Sequence, residues 1–338
     1  MNWSDRIENR ELNVGVMGLG YVGLPLALAF VEGGFSVTGF DVDEEKVETL
    51  RDGRTPLPDV PSEQVQTAVD SGRFHPTTDM SKLGEIDCLS ICVPTPLRKS
   101  RDPDISHIAE AASSILDHFN PPGLIVLEST TYPGTTEEIL ADRFRSEGWD
   151  LDEDIYLAFS PERIDPSNED YGIHNTPKVV GGSTEESGEV ARLLYETIVA
   201  EVVTVSDTQA AEMVKLLENT FRSINIALAN EMALICDRLD INVWEVIEAA
   251  ATKPYGFMPF YPGPGLGGHC IPVDPLFLSW KARLADTQSQ FVELADEINR
   301  SMPDHVVSKI TDSLNEQAKC VNGAKICLLG VAYKADVN

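Results

Sequence analysis

The residues most able to do chemistry lie in a stretch rich in glycine and proline, Tyr261–Pro275, which contains one thiol, Cys270, and one carboxylate, Asp274. So many glycines and prolines disfavour a helix or a strand, and they predict a bent loop whose backbone approaches a ligand closely. A free cysteine is more often a small buried hydrophobe than a nucleophile. Because Cys270 lies outside any apolar run, its sequence context favours a nucleophilic thiol and a buried hydrophobe equally.

A second set of candidates follows the apolar segment Asn13–Met17. Gly18, Gly20 and Gly23 form the pattern G-x-G-x-x-G before an apolar helical segment. In this pattern the first glycine permits a tight turn, the second admits a pyrophosphate, and the third allows the helix to pack on the strand. Asp41 ends the next predicted strand, about 20 residues later, where an acid suits a ribose 2′-hydroxyl. The sequence predicts NAD rather than NADP, with a simple turn acid as the alternative for Asp41.

Apolar strand segments continue to alternate with helical segments. The strands are predicted at 86–93, 123–130, 155–162, 178–182 and 202–205. Polar residues at the carboxyl ends of parallel strands commonly bind ligands in a doubly wound sheet, and Thr95, Thr130 and Glu162 occupy such positions. Each is equally compatible with a turn or a helix cap. We therefore expect an α/β fold with a Rossmann-like dinucleotide-binding domain.

A long helix is predicted from Asp207 to about Leu239. Its apolar residues recur at three- and four-residue steps and predict one buried stripe, made of Met213, Leu216, Leu217, Phe221, Ile224 and Leu228. Lys215 and Asn219 are one turn apart and share a face, either as site residues or as a solvated polar surface. Further helices are expected within 243–281, around the Cys270 loop, and over 296–314. A helix this long between two lobes predicts a homodimer.

Composition restricts the class of partner. The chain has 338 residues, of which 26 are basic and 55 acidic, a net charge of −29. Such a surface repels nucleic acid and anionic membranes, and its even distribution favours a halophilic protein over one that binds a basic partner. The six cysteines show neither disulfide nor metal-ligand spacing, and Cys88, Cys92, Cys236 and Cys327 are expected in the core. Without a signal peptide or membrane-length apolar run, we expect a cytoplasmic protein with no metal.

These elements predict three domains. Residues 1–206 are expected to bind NAD, and residues 207–318 are expected to form a central helical domain for dimerisation and catalysis. Residues 319–338 begin with the apolar segment Ala324–Gly330, which predicts the first strand of another α/β domain that is cut short.

Together, several motifs resemble the UDP-glucose/GDP-mannose dehydrogenase family. They are residues 18–27, Ser160–Arg163, Lys215 with Asn219, residues 267–274 and residues 330–334, and the likeness extends from Leu12 to Asn338. The resemblance implies an enzyme that oxidises the terminal hydroxymethyl group of a UDP-sugar to a carboxylate with two NAD. Within the family, the loop before Cys270 looks most like that of the UDP-N-acetylglucosamine 6-dehydrogenases, followed by the UDP-N-acetylmannosamine enzymes.

The resemblance also implies roles for residues. Cys270 adds to the intermediate aldehyde, Lys215 and Asn219 stabilise the oxyanion, Asp274 assists proton transfer, Glu162 assists thioester hydrolysis, and Thr130 holds a water. The implied cofactor residues are Gly18, Gly20, Tyr21, Val22, Gly23, Asp41, Thr95, Thr130 and Lys334. The implied substrate residues are Glu162, Arg163, Lys215, Asn219, Tyr261, Gly265 and Gly267.

Three alternatives are weighed against this prediction. UDP-glucose 6-dehydrogenases carry a second glutamate where this chain has Pro166, which argues against UDP-glucose. A β-hydroxyacid dehydrogenase shares the dinucleotide fold and the Lys/Asn pair, but it needs no thiol like Cys270 and transfers one hydride. A non-catalytic NAD-binding protein is disfavoured by the joint presence of Cys270, Lys215, Asn219, Asp274 and Glu162.

Overall fold

A computed structural model of the chain describes residues 2–164, 170–268 and 270–330. They divide into two compact units, one ending at Lys215 and one beginning at Leu216. The first unit is an α/β domain, and the second is helical.

The first unit is built on an eight-stranded sheet. Its strands are β1 (Asn13–Met17), β2 (Ser36–Phe40), β3 (Phe74–Thr77), β4 (Cys88–Ile91), β5 (Gly123–Leu127), β6 (Ile155–Phe159), β7 (Lys178–Gly182) and β8 (Val202–Val205). The order across the sheet is β3-β2-β1-β4-β5-β6-β7-β8. All neighbouring strands are parallel except β6 and β7, which are antiparallel. The predicted Rossmann-like α/β class is confirmed.

Helices cover both faces of this sheet. They are α1 (Trp3–Glu8), α2 (Gly23–Glu32), α3 (Glu44–Arg51), α4 (Ser62–Asp70), α5 (Ser106–His118), α6 (Asp142–Ser146) and α7 (Glu185–Tyr195), with a 3-10 turn at Met80–Glu85 and a π-helical turn at Thr136–Ala141. The central strands β5 and β6 are buried along their whole length, as expected for a sheet covered on both sides. Two apolar clusters form the core: one includes Phe30 and Phe35, and the other includes Phe144 and Phe159.

Two features of the sheet differ from the prediction. Strand β3 was not predicted, because Pro76 within Phe74–Thr77 argues against a central strand, whereas the structure places β3 at the edge, where proline is tolerated. Strand β7 is antiparallel to β6. Between these strands the described residues hold no crossover helix of the kind that returns a chain to the start of a parallel neighbour. Consequently β7 begins at the edge where β5 and β6 end.

The long helix α8 (Thr208–Leu239) has 32 residues and confirms the predicted span. The second unit contains the rest of α8 together with α9 (Val243–Ala251), α10 (Asp274–Leu284) and α11 (Gln290–Glu316). Helix α11 begins earlier than the expected Asp296. The loop that contains Cys270 precedes α10.

The predicted buried stripe of α8 is wrong in part. Leu216 is buried, but Met213, Leu217, Phe221 and Leu228 are between 41% and 63% exposed, and Ile224 is only partly buried. Apart from Leu216, the buried face consists mainly of small and polar residues: Ala211, Glu212, Asn219, Thr220, Ser223, Ala227, Ala229 and Asn230. Periodicity identifies an apolar face, but not whether a neighbouring element covers it.

The strand predicted at Ala324–Gly330 is also wrong. The described residues 319–330 form neither helix nor strand, and Cys327, Leu328 and Leu329 are exposed rather than in a core. A segment with high β-propensity becomes a strand only when another strand pairs with it. Among the described residues, no strand pairs with this segment. The other three cysteines expected in the core, Cys88, Cys92 and Cys236, are buried. None of the helices in the described ranges combines the length and apolar character needed to cross a bilayer.

Candidate active site

The glycine turn after β1 has the geometry that its pattern predicts. Gly18 has φ +94°, and a Cβ there would lie 2.7 Å from the carbonyl oxygen of Cys92. A Cβ on Gly23, the first residue of α2, would lie 1.8 Å from the carbonyl oxygen of Gly18, so helix and turn can touch only because residue 23 has no side chain. A Cβ on Gly20 would meet nothing within 4 Å. This open side at the start of α2 fits the pyrophosphate of a dinucleotide.

Asp41 is tied to the same turn. Its Oδ2 accepts a 2.9 Å hydrogen bond from the backbone N–H of Leu19 and a 2.7 Å ion pair from Lys46. Its Oδ1 accepts from the backbone N–H of Asp43. The carboxylate is therefore fixed at the carboxyl end of β2, beside the glycine turn. Tyr21, half exposed, and Val22, packed against the core, lie within that turn.

Two other predicted cofactor residues lie together. The hydroxyl of Thr95, in the loop after β4, donates a 2.7 Å hydrogen bond to the carbonyl oxygen of Thr130, which follows β5. Ser129 donates to the carbonyl of Val93, so the two loops are joined twice. Thr95 and Thr130 therefore lie together beyond the carboxyl ends of β4 and β5.

Glu162 lies beyond the end of β6 and is buried. Its Oε1 accepts hydrogen bonds from the backbone N–H groups of Arg163 and Ile164, at 2.7 and 2.5 Å. The ammonium of Lys215 donates to the backbone carbonyl of Glu162, so the structure brings these two predicted residues together. The guanidinium of Arg163 donates to the carbonyl of Pro177. Arg163 thus holds the chain locally as well as being a predicted substrate residue.

A buried charge cluster next to Glu162 was not predicted. Lys178, the first residue of β7, makes a 2.5 Å ion pair with Glu128, which follows β5, and its ammonium is 3.6 Å from Oε2 of Glu162. The hydroxyl of Tyr195 donates to the other oxygen of Glu128. Burial raises the pKa of the Glu128 carboxyl, although Lys178 opposes the shift. The available signal was the presence of Glu128 and Lys178 in apolar strand segments, because buried charges need partners.

A second buried acid, Glu212 in the first turns of α8, also escaped prediction. It accepts hydrogen bonds from the backbone N–H groups of Gly134 and Thr136 and from the Thr136 hydroxyl. Burial raises its pKa to about 7, against the lowering effect of these bonds. Glu212 thereby fastens α8 to the segment that follows Thr130.

In the second unit, two predicted catalytic residues meet directly. The side-chain amide of Asn219 donates a 2.5 Å hydrogen bond to Oδ2 of Asp274, and both residues are buried. Cys270 is exposed, and its carbonyl accepts from the backbone N–H groups of Val273 and Asp274 at 3.0 and 2.8 Å. The thiol residue and the acid therefore share one tight turn at the start of α10, and an exposed cysteine is inconsistent with the alternative of a buried hydrophobe.

Two buried asparagines hold the loop that precedes Cys270. Oδ1 of Asn230 accepts from the backbone N–H of Gly263, and its amide donates to Oδ1 of Asn299. Gly265 has φ +124°, and a Cβ there would be 3.2 Å from the Asn299 carbonyl. Asn230 thus anchors this loop to α8.

The remaining predicted substrate residues are accessible. Tyr261 stacks on Trp244 with a ring separation of 5.9 Å and stays half exposed, and Gly267 is exposed. Lys334 and Pro166 lie outside the described residues. The described site residues thus supply a dinucleotide turn in the first unit and a thiol with an acid–amide pair in the second.

The comparisons with known proteins identify the family. Residues 12–199 match the NAD-binding domain of the UDP-glucose/GDP-mannose dehydrogenase family, and residues 209–301 match its central domain. The chain belongs to this family. It is an NAD-dependent nucleotide-sugar dehydrogenase, an oxidoreductase whose cofactor is NAD.

Curated relatives cover nearly all of the chain. It is 38% identical to a UDP-N-acetyl-D-mannosamine dehydrogenase of Methanocaldococcus jannaschii, over 96% of this chain and 72% of the relative. It is 35% identical to a UDP-N-acetyl-D-glucosamine 6-dehydrogenase of Pseudomonas aeruginosa, over 96% of this chain and 76% of the relative. Among solved structures, the UDP-D-ManNAc dehydrogenase of Pyrococcus horikoshii aligns with a TM-score of 0.86 at 32% identity, covering 91% of this chain and 73% of that one.

Proposed function

We propose that the chain oxidises the 6-hydroxymethyl group of a UDP-N-acetylhexosamine to the uronic acid. The gluco and manno epimers are the two candidate substrates, because relatives named for each are 35% and 38% identical to this chain. The observation that carries the proposal is the exposed Cys270, placed on one turn with Asp274, which Asn219 holds by a hydrogen bond.

The overall reaction consumes one alcohol, two NAD and one water, and it yields one carboxylate, two NADH and three protons. Bound NAD supplies the hydride acceptor for both oxidations. Gly18, Gly20 and Gly23 shape the turn for its pyrophosphate, and Asp41, Thr95 and Thr130 lie at the adjoining strand ends. The remaining residues that we propose for cofactor binding are Tyr21, Val22 and Lys334.

The thiol of Cys270 adds to the carbon of the aldehyde formed in the first oxidation, and the thiol proton leaves to solvent or a base. The resulting thiohemiacetal loses a hydride in the second oxidation and becomes a thioester, which water cleaves to the carboxylate and the free thiol. Covalent capture retains the reactive aldehyde and divides the reaction into easier steps.

Polar side chains stabilise the charges that develop in these steps and transfer the protons. Lys215 and Asn219 stabilise the oxyanion, a contribution that often dominates catalysis in acyl transfer. Asp274 assists proton transfer, and Glu162, with Thr130 holding the water, activates the attack on the thioester. Arg163, Tyr261, Gly265 and Gly267 contact the nucleotide sugar. The same proposal assigns residues 1–206 to NAD binding, 207–318 to catalysis and dimerisation, and 319–338 to the start of a nucleotide-sugar domain.

The proposal also includes a homodimer formed through α8. Leu217, Phe221, Leu228, Ile235 and Leu239 give this helix an exposed apolar face. A second copy of the chain can cover such a face, since an isologous interface pairs a patch with itself.

The excess of acidic residues supports enzymatic activity in concentrated salt, where the repulsion between these residues is screened.

The decisive experiment counts NADH formed per nucleotide sugar consumed in concentrated KCl. UDP-N-acetylglucosamine, UDP-N-acetylmannosamine and UDP-glucose are supplied separately, and the product is identified by mass spectrometry. We expect about two NADH per sugar with one N-acetylhexosamine, from the two oxidations that the thiol links. A ratio of one would contradict the thioester route and favour a simple alcohol dehydrogenation.

The Cys270→Ser variant is the matched test of the thiol. We expect it to lose overall turnover, because the weaker serine nucleophile forms no thioester, while NAD binding measured by fluorescence titration is unchanged. Undiminished turnover in this variant would refute the role of Cys270.

A further inference from the structure

A buried cluster of three charges lies at the carboxyl edge of the sheet in the first unit. It consists of Glu128, Lys178 and Glu162, whose relative exposures are 1%, 5% and 8%. Lys178 stands between the two acids, with its ammonium 2.5 Å from Glu128 and 3.6 Å from Glu162. Carboxylates and ammonium groups are rarely buried without a functional or structural reason, since removing them from water is unfavourable.

The reversal of β7 explains how the cation reaches this edge. Phe159 of β6 pairs with Gly181 of β7 in antiparallel register, so the start of β7 lies beside the residues that follow β6. In a strand parallel to β6, the first residue would lie at the opposite edge of the sheet. The antiparallel direction of β7 therefore places Lys178 next to Glu162 and Glu128.

The two acids are not equivalent. Glu128 is fully engaged, since one oxygen pairs with Lys178 and the other accepts from the Tyr195 hydroxyl, which also contacts the Ser90 hydroxyl at 3.3 Å. Glu162 accepts two backbone N–H bonds at Oε1, but its buried Oε2 has no hydrogen-bond partner among the described residues. A buried acceptor is normally satisfied, so Oε2 is the atom at which a water is expected.

Lys178 keeps its charge in this environment. Burial lowers its pKa, but the nearby carboxylates of Glu128 and Glu162 outweigh burial and raise the pKa above the ordinary value. Among the described residues, the other charged or titratable groups near Glu162 are Lys215 from α8, which donates to the Glu162 carbonyl, and the buried thiol of Cys92 beyond β4. Burial raises the pKa of that thiol well above its usual range, so it is neutral. Within the described ranges, Lys178 is thus the cation that faces the Glu162 carboxylate itself.

We propose that Lys178, held by Glu128 and Tyr195, is a positioning residue that directs Oε2 of Glu162 toward the water that cleaves the thioester. Lys178 touches neither water nor substrate in this role. It acts through Glu162, which accepts the proton from the water while the water oxygen bonds to the thioester carbon. The inference rests on the proposed function of Glu162.

The test compares two variants that differ only in this cation. Glu128→Gln alone leaves Lys178 opposite Glu162, whereas Glu128→Gln with Lys178→Met removes the cation and leaves no unpaired charge at position 128. The double variant is therefore expected to fold, which thermal denaturation and NAD binding verify. Tyr195→Phe is a further control, because it removes only the hydroxyl that supports Glu128.

The first measurement needs no substrate. Infrared spectra of each variant, minus those of the same variant with Glu162→Gln, isolate the carboxyl bands of Glu162. We expect these bands to shift between Glu128→Gln and the double variant, because the stretching frequencies of a carboxyl group depend on the charged and hydrogen-bonding groups beside it. Identical bands would overturn the inference regardless of which reaction the enzyme catalyses.

The second measurement follows catalysis at neutral pH. In the double variant we expect the first burst of NADH to persist, steady-state turnover to fall at least about tenfold, and an acyl adduct to accumulate on Cys270, detected by mass spectrometry. Equal loss of burst and turnover would indicate a merely structural role and refute the inference. If the wild-type protein forms no adduct and only one NADH, the proposed function fails instead, and the infrared bands of Glu162 still decide its link to Lys178.

Discussion

The amide of Asn219 donates a 2.5 Å hydrogen bond to Oδ2 of Asp274, within the second unit. The bond joins the middle of α8 to the first residue of α10 and fixes which end of the amide faces the acid. An ionised carboxylate accepts such a bond strongly, and burial makes a mismatched pair unfavourable.

Replacing Asp274 by Asn tests the acid without disrupting the pair. The new amide oxygen still accepts from Asn219, so we expect a folded protein with nearly unchanged melting temperature. Turnover should fall about 100-fold or more, which is typical for the loss of a group that transfers protons. Steady-state NADH formation and thermal denaturation provide the two measurements.

The reciprocal change, Asn219→Asp, is the control for geometry. It places two carboxylates at hydrogen-bonding distance in a buried location, so either one becomes protonated or the loop moves. We expect a lower melting temperature than in the wild-type protein, because two buried carboxyl groups at this distance repel each other when both are charged. Equal melting temperatures of the two proteins would show that the pair has no structural importance.

The glycine turn allows a matched pair of substitutions. Gly23→Ala places a Cβ 1.8 Å from the Gly18 carbonyl oxygen, so we expect a loss of about 3 kcal/mol or more in the free energy of unfolding. Gly20→Ala meets no protein atom, so its stability should change little. Its methyl group faces the proposed pyrophosphate, and NAD should bind at least about tenfold more weakly.

Urea denaturation and NAD titration separate the two effects. A Gly20→Ala protein that binds NAD normally would contradict the placement of the pyrophosphate at this turn.

Glu212 predicts a specific pH dependence of stability. Its folded-state pKa of about 7 exceeds the ordinary 4.5, so the folded state holds a proton that the unfolded state releases between these values. Its contribution to stability is fully present below pH 4.5 and is lost as the pH rises through 7. The total is on the order of 3 kcal/mol for this shift.

The measurement is the difference in unfolding free energy between Glu212→Gln and wild-type protein from pH 4.5 to 8. The variant lacks this titration, so we expect it to gain stability relative to the wild type as the pH rises. The comparison cancels the titration of the other acids. A constant difference across that range would refute the raised pKa.

The exposed apolar face of α8 predicts the oligomeric state. Leu217→Glu should convert a dimer to monomers in sedimentation velocity experiments, because a buried unpaired charge at an interface is unfavourable. Leu284→Glu, at a leucine that is also 63% exposed but lies in α10, serves as the control. A monomeric wild-type protein would contradict the homodimer.

Local patterns allowed much of the first unit to be predicted. Gly18, Gly20 and Gly23 follow from short-range geometry, and the span of α8 follows from periodicity over many residues. The Asn219–Asp274 bond was not predictable as a contact, because the two residues are far apart in sequence. Only the individual residue types and their family motifs indicated a site.

The missed features depend on long-range arrangement. The pairing of Lys178 with Glu128 and Glu162 requires the antiparallel direction of β7, which no property of residues 178–182 encodes. The exposure of Leu217 and Phe221 depends on what covers α8, and periodicity describes only the helix. Glu212 looks like a surface acid in the sequence, because its partners are mainly backbone N–H groups around Gly134.

The double attachment of Asp41 has a consequence for protein engineering. A designer who wishes to change the cofactor from NAD to NADP would begin by replacing this acid with a smaller or basic residue. Here that replacement also releases the N–H of Leu19 and the ammonium of Lys46, and so loosens the turn on which either cofactor depends. Redesign of cofactor preference in this scaffold must therefore supply a new acceptor for Leu19 at the same time.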